Sequence, residues 1–138
     1  MPSYKTHSVH SEILLPNIPK EIDINKESLK MYSIGPDSMI ATDYHLFEYQ
    51  HANNTRKYFE TLLKVIKEHH LLDNSEVISF LYGQLDHFVL DSTMHPLIYY
   101  QTANIPKKYL IEYHGLVEMW IDDYICKKYH IDKSTYYH

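Results

Sequence analysis

An all-α fold is what this sequence predicts, and three observations carry the prediction. Apolar residues recur with the helical period from about residue 53 to 67, a long capped stretch runs from residue 73 to about 95, and the alternation of half-buried strands is nearly absent. A chain of 138 residues is long enough for one domain with a real core. The expectation is therefore one domain over residues 1–138, a compact bundle of about five helices.

Each element has its own justification. Residues 7–15 read as a first helix, stopped by Pro16 and Pro19. The stretch "NKESLKMYSI" (25–34) reads as a second, closed by Gly35-Pro36, and residues 38–52 are Tyr-rich and irregular. From Asn53 or Asn54, Tyr58, Phe59, Leu62, Leu63 and Ile66 share one face while Arg56, Lys57, Glu60, Lys64 and Lys67 lie elsewhere. Asp73, with Glu76 three residues on, reads as the cap of a long helix that ends or bends at His95, because Pro96 disfavours helical geometry before it. A last helix is expected from about Pro106 to Tyr129, with Leu110, Tyr113, Val117, Trp120, Ile121 and Tyr124 available for the core.

Composition narrows the function. A formal charge of −5 argues against a nonspecific nucleic-acid binder, and no duplex nucleic acid is expected as partner. With three glycines the chain contains no phosphate-cradling glycine loop and no G-x-S-x-G elbow. Cys126 alone cannot form an intramolecular disulfide or a Cys-based zinc cluster. No signal peptide and no membrane-spanning apolar run are seen, which gives a cytoplasmic expectation. Eleven histidines and fourteen tyrosines stand out, and histidine is the commonest metal ligand.

Within "QLDHFVLDSTMHPLIYY" (84–100), His87, Asp91 and His95 follow one another at intervals of four. On a helix such residues lie about 6 Å apart on one face. An unpaired titratable group in an apolar helix costs several kcal/mol, so the three satisfy one another or something bound does. His114 and Glu118 repeat the spacing, with Asp122 a further four on. Two facing helices with such ladders can supply most of a multinuclear metal site, and Asp91, flanked on both sides, can bridge two ions. Asp122 and Asp123 can equally be a solvated face. His69 and His70 read as helix-end residues, His130 and His138 as tail, and His10 and His45 as structural.

The segments "YKTHSVHSEIL", "SIGPDSMI", "YQHANNTRKYFETLL", "FLYGQLDHFVLDSTMHPLIYY" and "YHGLVEMWIDDYI" come in an order that resembles the zinc-dependent phospholipase C family. That family is all-α with a trinuclear zinc centre, and zinc-dependent single-strand nucleases share its ligand logic. The resemblance spans nearly the whole chain. It implies one zinc held by Asp37, His51, His87 and Asp91, a second by His95, His114 and Glu118, and a third by His7 with Asp91 bridging. In secreted members the third ion also takes an N-terminal tryptophan, a residue type present here only at Trp120. Two to three Zn²⁺ ions are thus expected.

The implied reaction is phosphodiester hydrolysis of the phospholipase C type by zinc-bound hydroxide, with Asp37 combining ligation and general-base work. The implied partner is a phospholipid or a small phosphodiester. Three zinc ions would outweigh the ligand carboxylates and make a positive pocket in an acidic protein. Tyr44, Phe47, Tyr49, Tyr99 and Tyr100, from segments 38–50 and 96–110, are expected near the pocket, where such rings can cradle a cationic headgroup or stack on a base, with core packing the favoured role for any one of them. Two alternatives stand beside this reading: a nucleotide phosphodiesterase or nuclease, and a zinc-stapled module that binds a protein. A His-Asp phosphohydrolase needs a dipeptide the chain lacks.

Overall fold

Four serines, Ser8, Ser11, Ser33 and Ser79, are almost completely buried, and their small side chains let three helices approach closely. In the computed structural model, which describes residues 4–39, 42–51 and 55–132, the helices are α1 (Tyr4–Leu14), α2 (Lys26–Ser38), α3 (Tyr44–His51), α4 (Thr55–Glu68), α5 (Ser75–Thr102) and α6 (Leu110–Tyr129). Short 3-10 turns follow α1 at Leu15–Asn17 and precede α6 at Lys107–Tyr109. The fold is all-α, with no strand among the described residues. The expected start of α4 at Asn53 or Asn54 lies outside those residues, as does His138.

The most extensive helix contact joins α2 and α5, with α1 packed on both and α6 closing over α1 and α5. At its tightest point a β-carbon on Gly83 would come within 2.6 Å of the Tyr32 Cβ and 2.9 Å of the Ser33 amide nitrogen. Leu29 and Ile66 are the largest apolar side chains fully enclosed. Much of the interior is polar: Ser11 Oγ lies 3.2 Å from Ser33 Oγ, and buried Asp86 pairs with His10 Nδ1 at 2.6 Å. That carboxylate raises the His10 pKa by its hydrogen bond, against the lowering effect of burial.

Neither internal proline ends its helix, which corrects both expected boundaries. Pro36 lacks the N–H that would pair with the Tyr32 carbonyl, but the Gln84 amide donates to that carbonyl at 3.2 Å. The helix therefore continues to Ser38 and carries Asp37 on a rigid turn. Beyond Pro96, Ile98 and Thr102 are buried one turn apart. Their burial favours continuation, so α5 reaches 28 residues and about 42 Å.

The caps are also more specific than expected. Asn74 rather than Asp73 caps α5, accepting from the Val77 amide at 3.1 Å. Glu76 does not reach back to the cap; its carboxylate accepts from Ser28 Oγ and Tyr32 Oη, each at 2.7 Å, tying α5 to α2. Replacing Asn74 by alanine is expected to cost about 1 kcal/mol, the usual value for a lost N-cap. It would be read as a lower urea midpoint with an unchanged slope.

The irregular 38–52 segment contains α3, whose first turn is capped by Asp43 accepting from the Leu46 amide at 3.0 Å. Short helices with mixed faces leave little periodic signal, and Asp43 was the available cue. Helix α6 starts at Leu110 rather than Pro106, because a 3-10 turn takes the intervening residues. Its orientation differs as well. Glu118 and Cys126 are buried, whereas Leu110, Tyr113, Trp120 and Tyr124 are exposed. Leu63 on α4 is likewise exposed while Ile66 is enclosed.

Candidate metal centre

Four helices bring seven of the expected ligands into two groups. Asp37 comes from the end of α2, His51 from the end of α3, and His87 and Asp91 from successive turns of α5. One donor atom from each lies within 4.8 Å of the others. One turn along α5, His95 meets His114 and Glu118 of α6 within the same limit.

The hydrogen bonds around the histidines set their tautomers. His51 Nδ1 donates to the Phe47 carbonyl at 2.8 Å, and His87 Nδ1 to the Ser33 carbonyl at 2.8 Å. His95 Nδ1 donates to the Asp91 carbonyl at 2.9 Å. A neutral imidazole with its proton on Nδ1 presents a lone pair at Nε2, and such a hydrogen bond from the far ring nitrogen orients metal-binding histidines. His51 Nε2 and His87 Nε2 face each other at 3.1 Å. Two lone pairs at that distance repel unless a cation, either a proton on one ring or a metal ion, lies between them.

The spacing suits zinc. Ligands at about 2.0–2.1 Å in a tetrahedron stand roughly 3.3–3.5 Å apart. Here Asp37 Oδ1 is 3.2 Å from His51 Nε2 and 3.7 Å from His87 Nε2. Asp91 Oδ2 is 3.3 Å from His87 Nε2 and 3.9 Å from His51 Nε2. In the second group, His114 Nε2 is 2.9 Å and His95 Nε2 4.0 Å from Glu118 Oε1. The donor set of imidazoles and carboxylates, with no cysteine, fits a zinc site of the catalytic kind.

His7 enters from α1 on the other side of Asp91. Its Nε2 lies 3.3 Å from Asp91 Oδ1 and 3.6 Å from Asp37 Oδ2, and its ring stacks on His87 with centroids 4.3 Å apart. The two oxygens of Asp91 therefore face different partners. Buried His7 Nδ1 and Asp37 Oδ2 have no hydrogen-bond partner, as expected where a further cation or water belongs.

The electrostatics follow from this crowding. Burial alone would raise the Asp91 pKa, but hydrogen bonds and charge from His7 and His87 hold it far below the usual carboxylate range. Burial lowers the His87 pKa, yet Asp91 and Asp37 together raise it overall. The Tyr4 hydroxyl is pushed up by burial and by the Asp37 charge.

Asp122 has a role that spacing did not disclose. Its Oδ1 accepts from the Thr6 amide at 2.8 Å and the Thr6 hydroxyl at 2.6 Å, so α6 caps α1 one residue before His7. It is a positioning contact. Sequence reasoning also missed the Ser33 and Phe47 carbonyls, since backbone acceptors leave no compositional mark.

One protein-family model, described as zinc dependent phospholipase C, matches residues 6–138. The chain belongs to that family. Neither the curated proteins nor the solved structures gave a match. A cleft of about 320 Å³ exposes Asp37, His51, Asp91, His95, His114 and Glu118, between Phe47 and Tyr99 on one hand and Leu110 and Ile111 on the other. A neighbouring cavity of about 250 Å³ reaches His51, His87, Asp91 and His95 from the side of Tyr58, Phe59, Gln84 and Phe88. Of the aromatics expected near the pocket, Phe47 and Tyr99 line the cleft, whereas Tyr44, Tyr49 and Tyr100 are exposed and line neither cavity. Among the described residues no helix is long and apolar enough to cross a membrane.

Proposed function

We propose that this chain is a zinc-dependent phosphodiester hydrolase of the phospholipase C type, cutting on the glycerol side of the phosphorus. The observation that carries the reading is the pair of His/carboxylate groups, on successive turns of α5 and opening on one cleft, with buried His7 behind Asp91. Asp37, His51, His87 and Asp91 would hold one ion, His95, His114 and Glu118 a second, and His7 with Asp91 a third. When bound, zinc lowers the pKa of water to about 7 and neutralises phosphoryl charge.

The residues divide the remaining work. The Ser33, Phe47 and Asp91 carbonyls accept from Nδ1 of His87, His51 and His95, which holds the rings with Nε2 aimed inward. Asp37 is the general base: Oδ1 faces His51, and Oδ2 is an acceptor with no hydrogen bond to give up when it takes a proton from water. The mainly apolar wall of Leu110, Ile111, Tyr99 and Phe47 suits the acyl-glycerol side of a lipid and excludes water from it.

Zinc reconstitution followed by elemental analysis is expected to give two to three equivalents, and chelation to abolish turnover and lower the melting temperature. Less than one equivalent would defeat the reading. Phosphatidylcholine micelles, bis-nitrophenyl phosphate and short single-stranded oligonucleotides assayed side by side identify the substrate. Cleavage of the ester and oligonucleotides without lipid would transfer the chemistry to nucleotide phosphodiesters. Loaded protein that cleaves none of them would be a binding module.

A further inference from the structure

Helix α6 carries an apolar stripe on the side turned away from Glu118. Tyr113, Trp120 and Tyr124 recur at intervals that return to one helix face, and all three are exposed, Trp120 at 67% and Tyr124 at 61%. The stripe is continuous with the cleft. Leu110 lies a turn before Tyr113 and lines the cleft, as do Ile111, exposed at 90%, and Tyr99, exposed at 60%. Large apolar side chains kept in water over such a length mark a surface that meets something.

Several observations bear on what that is. The stripe is tipped with Trp and Tyr, the residues whose amphipathic rings favour a membrane interface. Lysines stand at both ends. Lys108 Nζ sits 4.4 Å from the Tyr109 ring, and Lys128 Nζ lies 5.8 Å from the Tyr124 ring. Such side chains cover apolar surface with their stems while the ammonium stays in the headgroup layer. Glu112 and Asp123 fall on the flanks of the helix, and Asp122 is engaged with Thr6. A protein partner, including a second copy, seated over Leu110 and Ile111 would close the cleft mouth. A lipid surface on the same residues would bring substrate to it.

We propose that the α6 stripe and the Tyr99–Ile111 rim form the surface by which this protein lies on a zwitterionic lipid interface with its cleft facing the headgroups. The assignment rests on the phospholipase reading. The chain's net charge of −5 opposes an anionic membrane, so apolar insertion supplies the affinity and added salt changes it little.

Trp120 is the only tryptophan among fourteen tyrosines, so emission excited at the red edge, where tyrosine does not absorb, reports this face alone. Zinc-loaded full chain titrated with phosphatidylcholine vesicles should show a saturable blue shift that persists in salt. The Tyr113→Ser/Tyr124→Ser double variant, which keeps Trp120, should partition about tenfold more weakly, equivalent to about 1.4 kcal/mol, while its turnover of soluble bis-nitrophenyl phosphate is unchanged. Unshifted emission with vesicles, from protein that turns over the soluble ester, would overturn the surface and leave the enzyme standing. A concentration-dependent shift without lipid, with dimer mass by light scattering, would overturn it in favour of a second copy. A vesicle-dependent shift from loaded protein that cleaves no ester would uphold the surface and remove the phospholipase reading.

Discussion

Asp91→Asn should take the protein below detectable turnover and release at least one zinc equivalent. The substitution preserves shape and removes only the charge and one good acceptor. Those are the properties on which both oxygens depend: Oδ2 stands 3.3 Å from His87 Nε2 and Oδ1 stands 3.3 Å from His7 Nε2. A bridging carboxylate lost to an amide weakens two sites at once, and because metal bound only to the native state adds to its stability, the melting temperature falls with it. At a hundredfold excess of zinc over its dissociation constant the lost stabilisation is about 2.7 kcal/mol. The check is calorimetry of wild type and variant with and without chelator. The gap between the two proteins should narrow once zinc is stripped from both. A helix-surface aspartate would instead give a change within about 0.5 kcal/mol in every condition.

Gly83→Ala should be strongly destabilising, far more so than Gly35→Ala. The added carbon meets Tyr32 Cβ at 2.6 Å, the Tyr32 carbonyl carbon at 2.8 Å and the Ser33 nitrogen at 2.9 Å. Two of those three atoms are backbone and cannot swing aside, so α2 must move off α5. Overpacking of this kind costs about 1–3 kcal/mol, occasionally more, and the roughly 1 kcal/mol gained in helix propensity does not offset the upper end. We expect a net loss of about 2 kcal/mol in urea unfolding. Displacing Ser33 also loosens the carbonyl that orients His87, so zinc affinity should fall by roughly 10–100-fold. Gly35→Ala is the internal control: its β-carbon would meet only the Gln84 amide, at an ordinary 3.6 Å. If both glycine variants lose stability equally, the α2–α5 contact is not the cause.

The ladders on α5 and α6 were readable from spacing because four residues make one helical turn whatever the helix packs against. His87, Asp91 and His95, and His114 with Glu118, could be paired before any fold was known. Asp37 and His51 are different. They come from two helices, and the resemblance to a family, rather than any periodicity, assigned them to His87. The proline boundaries were misplaced because the rescue of each helix lies elsewhere in the chain: Gln84 for the Tyr32 carbonyl, and the burial of Ile98 and Thr102 beyond Pro96. Helix α3 stayed hidden for want of an apolar stripe.

What the sequence by itself determined is local: helical character, the positions of most caps within a residue or two, and which titratable groups share a helix face. The tertiary structure decided which faces turn inward. On α6 an apolar stripe and a His/carboxylate stripe compete for the interior, and local hydrophobicity favours Leu110, Tyr113, Trp120 and Tyr124. The fold instead buries Glu118, and α6 bonds Asp122 to Thr6, leaving the aromatic residues outside. The physical reason is that burial free energy belongs to the whole assembly. Orienting α6 toward His95 and α1 satisfies charged groups that no apolar neighbour could satisfy, and this outweighs the apolar area left in water.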